Sequence, residues 1–536
     1  MSLAFTKDMP ETRPERGLPV TAPPPGVFAG AVATAPPATR PIDLPPPDRV
    51  AALLGRLRLG AAGFVALERA WPEPRYALRA FGLQEWEAGR LAGAAEAFAA
   101  ALSLAPADVA LWRDLAFALQ ALGRHGEALT AIRRALGLAP GEAGSWLMCA
   151  GLLNQADDHA GAEAAYREAL GRDAGLADAH HGLGLLLLGR RRYRDAAASL
   201  AHVLVLAPGR ATAALCLGQA LYLDGDFAAA AAAFARAGAP EGWPGAARRN
   251  AARARAFDTI VKAGIDEALD RHAAEVWDGA EDADSLLSAA FSVFSAYGRE
   301  AAAVAVGRFR LARQPDDPVQ TYLLDALLGR PLTAAPVSYL ERHFDAFAPT
   351  FDEKLVTLLL YRVPQQLAAL AARHRSRCPE VLDLGCGTGL GAAPLSPLAG
   401  RLTGVDVAEG MLAEATRRGL YAELVKAEAV AFLAAAPRRY DLVFAADLLI
   451  YLGDLAPFFA AAAAALAPGG LLCFSIETTV GRDYVLLPSG RFAHAPDHVL
   501  ALAAPAFAVL DDVPQDLRLE GQAPARGRLL VLERRG

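Results

Sequence analysis

The segment best equipped for chemistry is Val381-Leu-Asp-Leu-Gly-Cys-Gly-Thr-Gly389. An apolar run, an Asp and three glycines on alternate positions read as a strand that turns into a helix through a loop bare of side chains. Such a loop lets backbone approach a ligand closely and points a helix N-terminus at it. The spacing Gly385-x-Gly387-x-Gly389, with Asp383 two residues upstream, departs from the Gly-x-Gly-x-x-Gly of dinucleotide binders.

The elements that must hold this loop follow from a change of texture after about residue 376, where short β-rich runs alternate with helical stretches. The runs predict strands over 380–384, 401–405, 421–425, 440–445, 470–476, 507–511 and 528–533. Seven strands with helices between them form a doubly wound, mostly parallel sheet, and ligands on such sheets sit at the carboxyl ends of the strands.

The loop resembles motif I of the class I S-adenosylmethionine-dependent methyltransferases. The resemblance implies that Asp383, Gly385, Cys386, Gly387 and Gly389 pack on the methionine and ribose parts of S-adenosylmethionine, with Asp383 near the methionine amino end. At the end of the second strand a carboxylate accepts both ribose hydroxyls, and Asp406 of Thr403-Gly-Val-Asp-Val407 stands there. Val407 and Met411 follow on that wall. Glu428 and Ala429 of Lys426-Ala-Glu-Ala429 occupy the adenine position, where relatives more often have Asp. Phe444-Ala-Ala-Asp-Leu-Leu-Ile-Tyr-Leu452 resembles motif IV and places Asp447 and Tyr451 beside the sulfonium, and Leu466-Ala-Pro-Gly-Gly-Leu471 is the family's usual turn.

Two flanks extend the resemblance to bacterial methyltransferases fused to tetratricopeptide repeats. They are 339–352 with Leu360-Tyr-Arg-Val-Pro364, resembling N-terminal lid helices and adding Tyr361 to the cofactor wall, and Leu487-Pro-Ser-Gly-Arg-Phe-Ala-His494. The sulfonium is already electrophilic, so the protein has to align acceptor and methyl and exclude water, and no metal is needed. A hydroxyl or amine acceptor needs a base, for which His494 and His343 are the candidates, with Tyr451 beside them. A carboxylate acceptor needs none, and Arg491 is then the residue to orient it. Structural hydrogen bonding is an equally good reading of both histidines and of Arg491.

Upstream, one pattern recurs every 34 residues from about 75 to 240. Small residues stand at Gly82, Ala116, Ala150, Gly184 and Gly218, and large apolar ones at Phe98, Ile132, Tyr166, Leu200 and Phe234. This resembles the tetratricopeptide repeat, a helical hairpin with small residues where helices cross. Five copies predict an all-α solenoid ahead of the α/β Rossmann-like methyltransferase domain. Repeat geometry puts Trp86, Phe117, Leu185 and Tyr222 on its groove face, a surface for a protein or peptide. The divisions expected are a Pro-rich tail over 1–48, the solenoid over 49–240, a helical connector with degenerate repeats over 241–335, and the methyltransferase domain over 336–536.

The charge balance, 53 basic against 59 acidic residues, argues against a nucleic-acid or acidic-membrane partner. Five scattered cysteines, together with the lack of a secretory signal pattern or a run of about 20 apolar residues, read as a soluble chain in the reducing cytoplasm. Three functions remain open at this level. They are a methyltransferase acting on a protein or peptide recruited by the solenoid, a small-molecule O- or N-methyltransferase whose solenoid serves assembly, and a cofactor-binding scaffold without turnover.

Overall fold

The computed structural model describes residues 42, 44–60, 63–238, 242–274, 281–353, 355, 359, 361–436, 439–520 and 523–536. Most of the expected Pro-rich tail, and Leu360 of the lid segment, lie outside the described residues. The chain divides into two compact units, the first ending at Asp258 and the second running from Thr259 to Gly536. Among the described residues no single helix is long and apolar enough to cross a membrane.

In the first unit the 34-residue pattern becomes five antiparallel helix pairs, from Pro74–Glu87 with Leu91–Leu104 to Ala211–Asp224 with Phe227–Arg236. The periodic small and large residues are one contact seen from its two sides. A Cβ on Gly82 would stand 2.6 Å from Phe98, one on Gly184 2.6 Å from Leu200, and one on Gly218 2.7 Å from Phe234. The large side chain of each second helix therefore fills the gap a small residue leaves on the first, and both are buried. Asp108, Asp158 and Asp226 cap helices with side-chain oxygens, which fixes where successive helices start. The groove reading needs correction here. Phe117 and Tyr222 are buried in the array, Tyr222 against Phe227 and Phe257, because their helix faces turn inward to neighbouring repeats. Leu185 is exposed and Trp86 half-buried.

The second unit takes in the later part of the expected connector. Helices Ala283–Ala296, Glu300–Arg313 and Pro318–Leu327 are folded with the sheet domain as one compact body. In that domain we number helices α1 Val337–Phe347, α2 Val363–His374, α3 Ala392–Leu395, α4 Glu409–Arg418, α5 Ala429–Ala434, α6 Ala456–Ala465 and α7 Pro496–Ala503. The strands are β1 Cys378–Leu384, β2 Ala399–Asp406, β3 Glu423–Lys426, β4 Tyr440–Ala445, β5 Leu466–Thr478, β6 Tyr484–Leu486, β7 Phe492–His494, β8 Phe507–Glu520 and β9 Ala523–Arg534.

Strands β3-β2-β1-β4-β5 run parallel, and β9 pairs antiparallel with β5 and carries β8. Burial on both faces explains the largely apolar character of β1, β4 and β5. The seven expected strands are all present. Among the described residues the sheet has nine, because β6 and β7 form a short hairpin whose second strand pairs with β5 at Glu477 and Thr478. Three-residue strands around Pro488-Ser-Gly490 carry too little alternation to be read from sequence. Strand β8 also runs well past its expected end at Asp511. Pro514 is accommodated there because β8 is an edge strand.

Candidate active site

The carboxyl ends of β1, β2 and β4 open into one cleft, lined by Asp383, Gly387, Asp406 and Asp447 among others. At its β1–β2 end the wall is backbone. Gly385, Gly387 and Gly389 have φ of +71°, +54° and +85°, the left-handed region that favours glycine. A Cβ on Gly387 would meet nothing nearer than Phe351 at 4.0 Å, so its bare backbone faces open space, whereas Gly389 is packed at 3.0 Å on Arg418 and Tyr421. Gly387 lines the cleft; Gly389 shapes the turn behind it.

Two carboxylates flank this loop. Asp406 is buried, with Oδ2 accepting from the Gly387 N–H at 2.9 Å and Oδ1 from the Ala408 N–H at 2.9 Å. Each oxygen keeps a second lone pair for a ligand hydroxyl. Burial raises its pKa, and the backbone hydrogen bonds from Ala408 and Gly387 oppose the rise. Asp383 is buried as well, with Oδ2 accepting from the Tyr421 hydroxyl at 2.6 Å. Burial pushes its carboxyl up to about 7, against the pull of that hydrogen bond, and Asp406 adds to the rise.

At the β4–β5 end the wall is a side-chain network. Asp447 is one of the few non-glycine residues with positive φ, +54°. Its N–H donates to Ser475 Oγ at 2.8 Å, Ser475 donates back to Oδ1 at 3.0 Å, and Arg518 Nη1 donates to Oδ2 at 2.8 Å. The second Arg518 nitrogen pairs with Glu477 Oε1, which also accepts from Arg491 Nε at 2.8 Å. Glu477, Arg491 and Arg518 are all buried. An unpaired charge so placed costs several kcal/mol, which is why cations and anions alternate here. Opposite stands an aromatic wall in which the Phe344 ring meets Tyr451 edge-on at 5.5 Å and Phe351 at 6.4 Å. The lid carrying Phe344 and Phe351 is tied to the sheet domain by the Gly410 N–H donating to Asp345 at 2.7 Å and by Thr388 Oγ1 donating to Asp352 at 2.5 Å.

Of the residues expected from sequence, Asp383, Gly385, Cys386, Gly387, Asp406, Met411, Asp447, Tyr361, Tyr451 and Arg491 line this cleft. Val407, Gly389, Glu428 and Ala429 are not among the lining residues. Both Glu428 oxygens are engaged as the N-cap of α5, accepting from Val430 N at 2.9 Å and Ala431 N at 2.7 Å, because an acidic residue just before a helix satisfies its first free N–H groups. The histidines are not brought to the cleft either. His494 is buried, its Nε2 donating to the Leu452 carbonyl at 2.8 Å while Nδ1 has no hydrogen-bond partner among the described residues. His343 is stacked on Tyr339 at 5.3 Å. Burial pushes both imidazoles down to about 4, so both are neutral near pH 7.

Sequence reasoning missed Arg518, Glu477, Ser475 and Tyr421. Arg518, a lone charge between Leu517 and Leu519, was the available signal, but it lies past the expected end of its strand. Glu477 is the residue just after the expected end of β5.

The model described as "Methyltransferase domain" matches residues 381–470, and "Tetratricopeptide repeat" matches residues 85–152. The ubiquinone biosynthesis O-methyltransferase of Methylobacterium sp. (strain 4-46) is 32% identical over 195 residues, covering 31% of this chain and 77% of that protein. The protein of the same name from Thiobacillus denitrificans (strain ATCC 25259 / T1) is 34% identical over 134 residues, 22% of this chain and 56% of that one. The chain thus spans about three quarters of the first of these relatives and little more than half of the second. Among solved structures, N-methyltransferase NodS from Bradyrhizobium japonicum WM9 with S-adenosyl-L-homocysteine is 20% identical, covers 32% of this chain and 85% of that chain, and has a TM-score of 0.28. With its glycine loop, its paired carboxylates at the β1 and β2 ends and this relationship, the chain belongs to the class I S-adenosylmethionine-dependent methyltransferases, joined here to tetratricopeptide repeats.

Proposed function

We propose that this chain transfers a methyl group from S-adenosylmethionine to a hydroxyl of a small aromatic acceptor. The observation that carries this reading is the cleft itself, a backbone-walled pocket at one end and, at the other, a space closed by Phe344, Phe351 and Tyr451 over Asp447, Arg491 and Arg518. Aromatic walls bind a flat apolar ring and keep water from the reacting atoms. The relatives named ubiquinone biosynthesis O-methyltransferase support an oxygen acceptor.

In this reading Gly385 and Gly387 receive the cofactor with bare backbone, Asp406 accepts its ribose hydroxyls and Asp383 its ammonium. S-adenosylmethionine supplies a methyl carbon already activated by the sulfonium. Bound there, it would supply that methyl to an in-line displacement by the acceptor oxygen, the sulfur leaving with the bonding pair. The hydroxyl proton leaves to Asp447, the carboxylate at the aromatic end of the cleft. His343 and His494, away from the cleft and neutral, serve packing and a buried hydrogen bond instead. We assign the repeat array to binding a protein partner, with Trp86 and Leu185 as its remaining groove residues.

Radiolabelled S-adenosylmethionine offered with catechol and with total lysate protein tests the reading. Label in the small-molecule fraction, lost in Asp406→Ala, is expected. Label confined to protein would overturn the small aromatic acceptor, and failure of the wild type to bind S-adenosylhomocysteine in calorimetry would overturn the cofactor site.

A further inference from the structure

Arg491 reaches the cleft from the β6–β7 hairpin, and that hairpin is held by residues that precede the sheet domain. In the turn, Leu487 N–H donates to the Arg491 carbonyl at 2.8 Å and Gly490 N–H to the Leu487 carbonyl at 2.9 Å. Helix Pro318–Leu327 then grips it. The Tyr322 hydroxyl donates to the Gly490 carbonyl at 3.0 Å in a fully buried contact. Gly490 has φ +75°, and a Cβ there would stand 3.0 Å from Leu323 and 3.3 Å from the Tyr322 ring, so this helix moulds the turn to a bare glycine.

The same tyrosine braces the lid, its ring lying 4.4 Å from Tyr339 of α1, the helix that also carries Phe344. Just upstream of α1, Thr333 and Ala335 tie down the motif IV segment. Ala335 N–H donates to the Tyr451 carbonyl at 2.8 Å, and the Gly453 and Asp454 N–H groups donate to the Thr333 carbonyl at 2.8 and 3.0 Å. Residues 318–335 thus touch the hairpin that carries Arg491, helix α1 of the lid and the segment that carries Tyr451.

We propose that Arg491 orients the acceptor by an anionic substituent on its ring, and that Tyr322 is the positioning residue that holds Arg491 in place. The inference rests on the aromatic-hydroxyl reading above and adds the acceptor's chemical class, an aromatic hydroxyl bearing a carboxylate or another planar anion. A guanidinium presents its donors as a flat fork that matches such an anion, and the plane of this one is fixed by the Nε bond to Glu477. In an aromatic-walled cleft, with Arg491 itself buried, that pairing is stronger than at a surface. Acceptor selection then resides in elements outside the matched domain, whose residues are 381–470.

The test uses the full chain, radiolabelled S-adenosylmethionine and two probes, 3,4-dihydroxybenzoate and uncharged catechol. Wild type is expected to methylate the carboxylate-bearing probe at lower KM. Losing one buried hydrogen bond corresponds to about fivefold, so Tyr322→Phe should raise KM for 3,4-dihydroxybenzoate by about that factor, leaving kcat, the KM for catechol and the affinity for S-adenosylhomocysteine unchanged. Arg491→Lys, which keeps the charge and loses the fork, should raise the same KM further. Amides 484–494 should exchange hydrogen faster in Tyr322→Phe. Equal KM changes for both probes, or no change in either variant, would overturn the proposal while leaving the proposed function standing. Failure of wild type to methylate either probe while binding S-adenosylhomocysteine would overturn the aromatic-hydroxyl reading and this proposal with it.

Discussion

If Asp383 accepts the ammonium of the cofactor's methionine end, cofactor affinity must follow its ionisation. With its carboxyl near 7, about one tenth of it is ionised at pH 6 and about half at pH 7, so affinity should rise about fivefold over that unit. The ligand's own α-amino group sits beside a free carboxylate, which holds its ammonium above the peptide α-amino range of about 7.7–8.0, so it stays largely protonated over that unit. Calorimetric titration with S-adenosylhomocysteine, which carries the same amino-acid end and cannot be turned over, measures this from pH 5.5 to 7.5. Asp383→Asn should bind more weakly and with a flat profile. Tyr421→Phe removes a donor that favours the carboxylate, so the midpoint should move to higher pH. The fold carries the same signature. A carboxyl raised in the folded state leaves stability intact below about pH 4 and lowers it as pH rises to about 7, by an amount on the order of 4 kcal/mol, which ligand binding offsets. Because Asp406 is also raised by burial, the Asn variant is the deciding control. A flat wild-type profile, or a slope that survives Asp383→Asn, would refute the assignment.

Arg518→Met strands Asp447 and Glu477 with fewer cations, and breaking such a buried pair costs about 3–5 kcal/mol. Faster hydrogen exchange in β5 and loss of methyl transfer should both appear, and near-wild-type exchange would show the pairing to be idle. His343→Gln, at saturating cofactor, should keep the shape of the wild-type pH–rate profile, whereas a rate loss beyond about a hundredfold with cofactor binding intact would return a histidine base to the mechanism. In the repeats, Gly218→Ala drives a methyl to 2.7 Å from Phe234 and should cost about 1–2 kcal/mol net of helix propensity. Trp243, tilted on Phe234 at 5.9 Å, reports it by fluorescence in urea. An unchanged midpoint would mean the ring moves aside freely.

What could be read from sequence divides along physical lines. The repeat was legible because each 34-residue unit makes the same short-range contact, and the Gly82–Phe98 and Gly218–Phe234 pairs lie within single hairpins. The glycine loop was legible because its demand is on backbone conformation, which only glycine meets at three positive φ values. Asp406 followed from its place at a strand end. His343 and His494 were named for the usual pKa of their type, and burial, which sequence does not display, removes that property. Phe117 and Tyr222 were assigned to a groove by repeat geometry and lie instead on inward faces.

The two ends of the cleft therefore differ in what specifies them. The glycine-loop end is made by β1, β2 and the loop between β1 and α3, over a short stretch of chain, and presents bare backbone together with the carboxylates of Asp383 and Asp406. The aromatic end takes Asp447 from the loop after β4, Glu477 from the end of β5, Arg491 from an inserted hairpin and Arg518 from an edge strand, then braces them with Tyr322 from a helix ahead of the domain. Asp447 and Arg491 were named from the motifs around them, whereas Glu477 and Tyr322 are uninformative in their own sequence neighbourhoods and Arg518 offers only a charge between two leucines. An ion pair between residues 71 positions apart, as for Asp447 and Arg518, exists only once β8 pairs with β9 and β9 with β5. A methyl donor common to many enzymes can be met by a short motif. In this chain the aromatic end draws on elements outside residues 381–470, namely the hairpin, the long β8 and helix Pro318–Leu327.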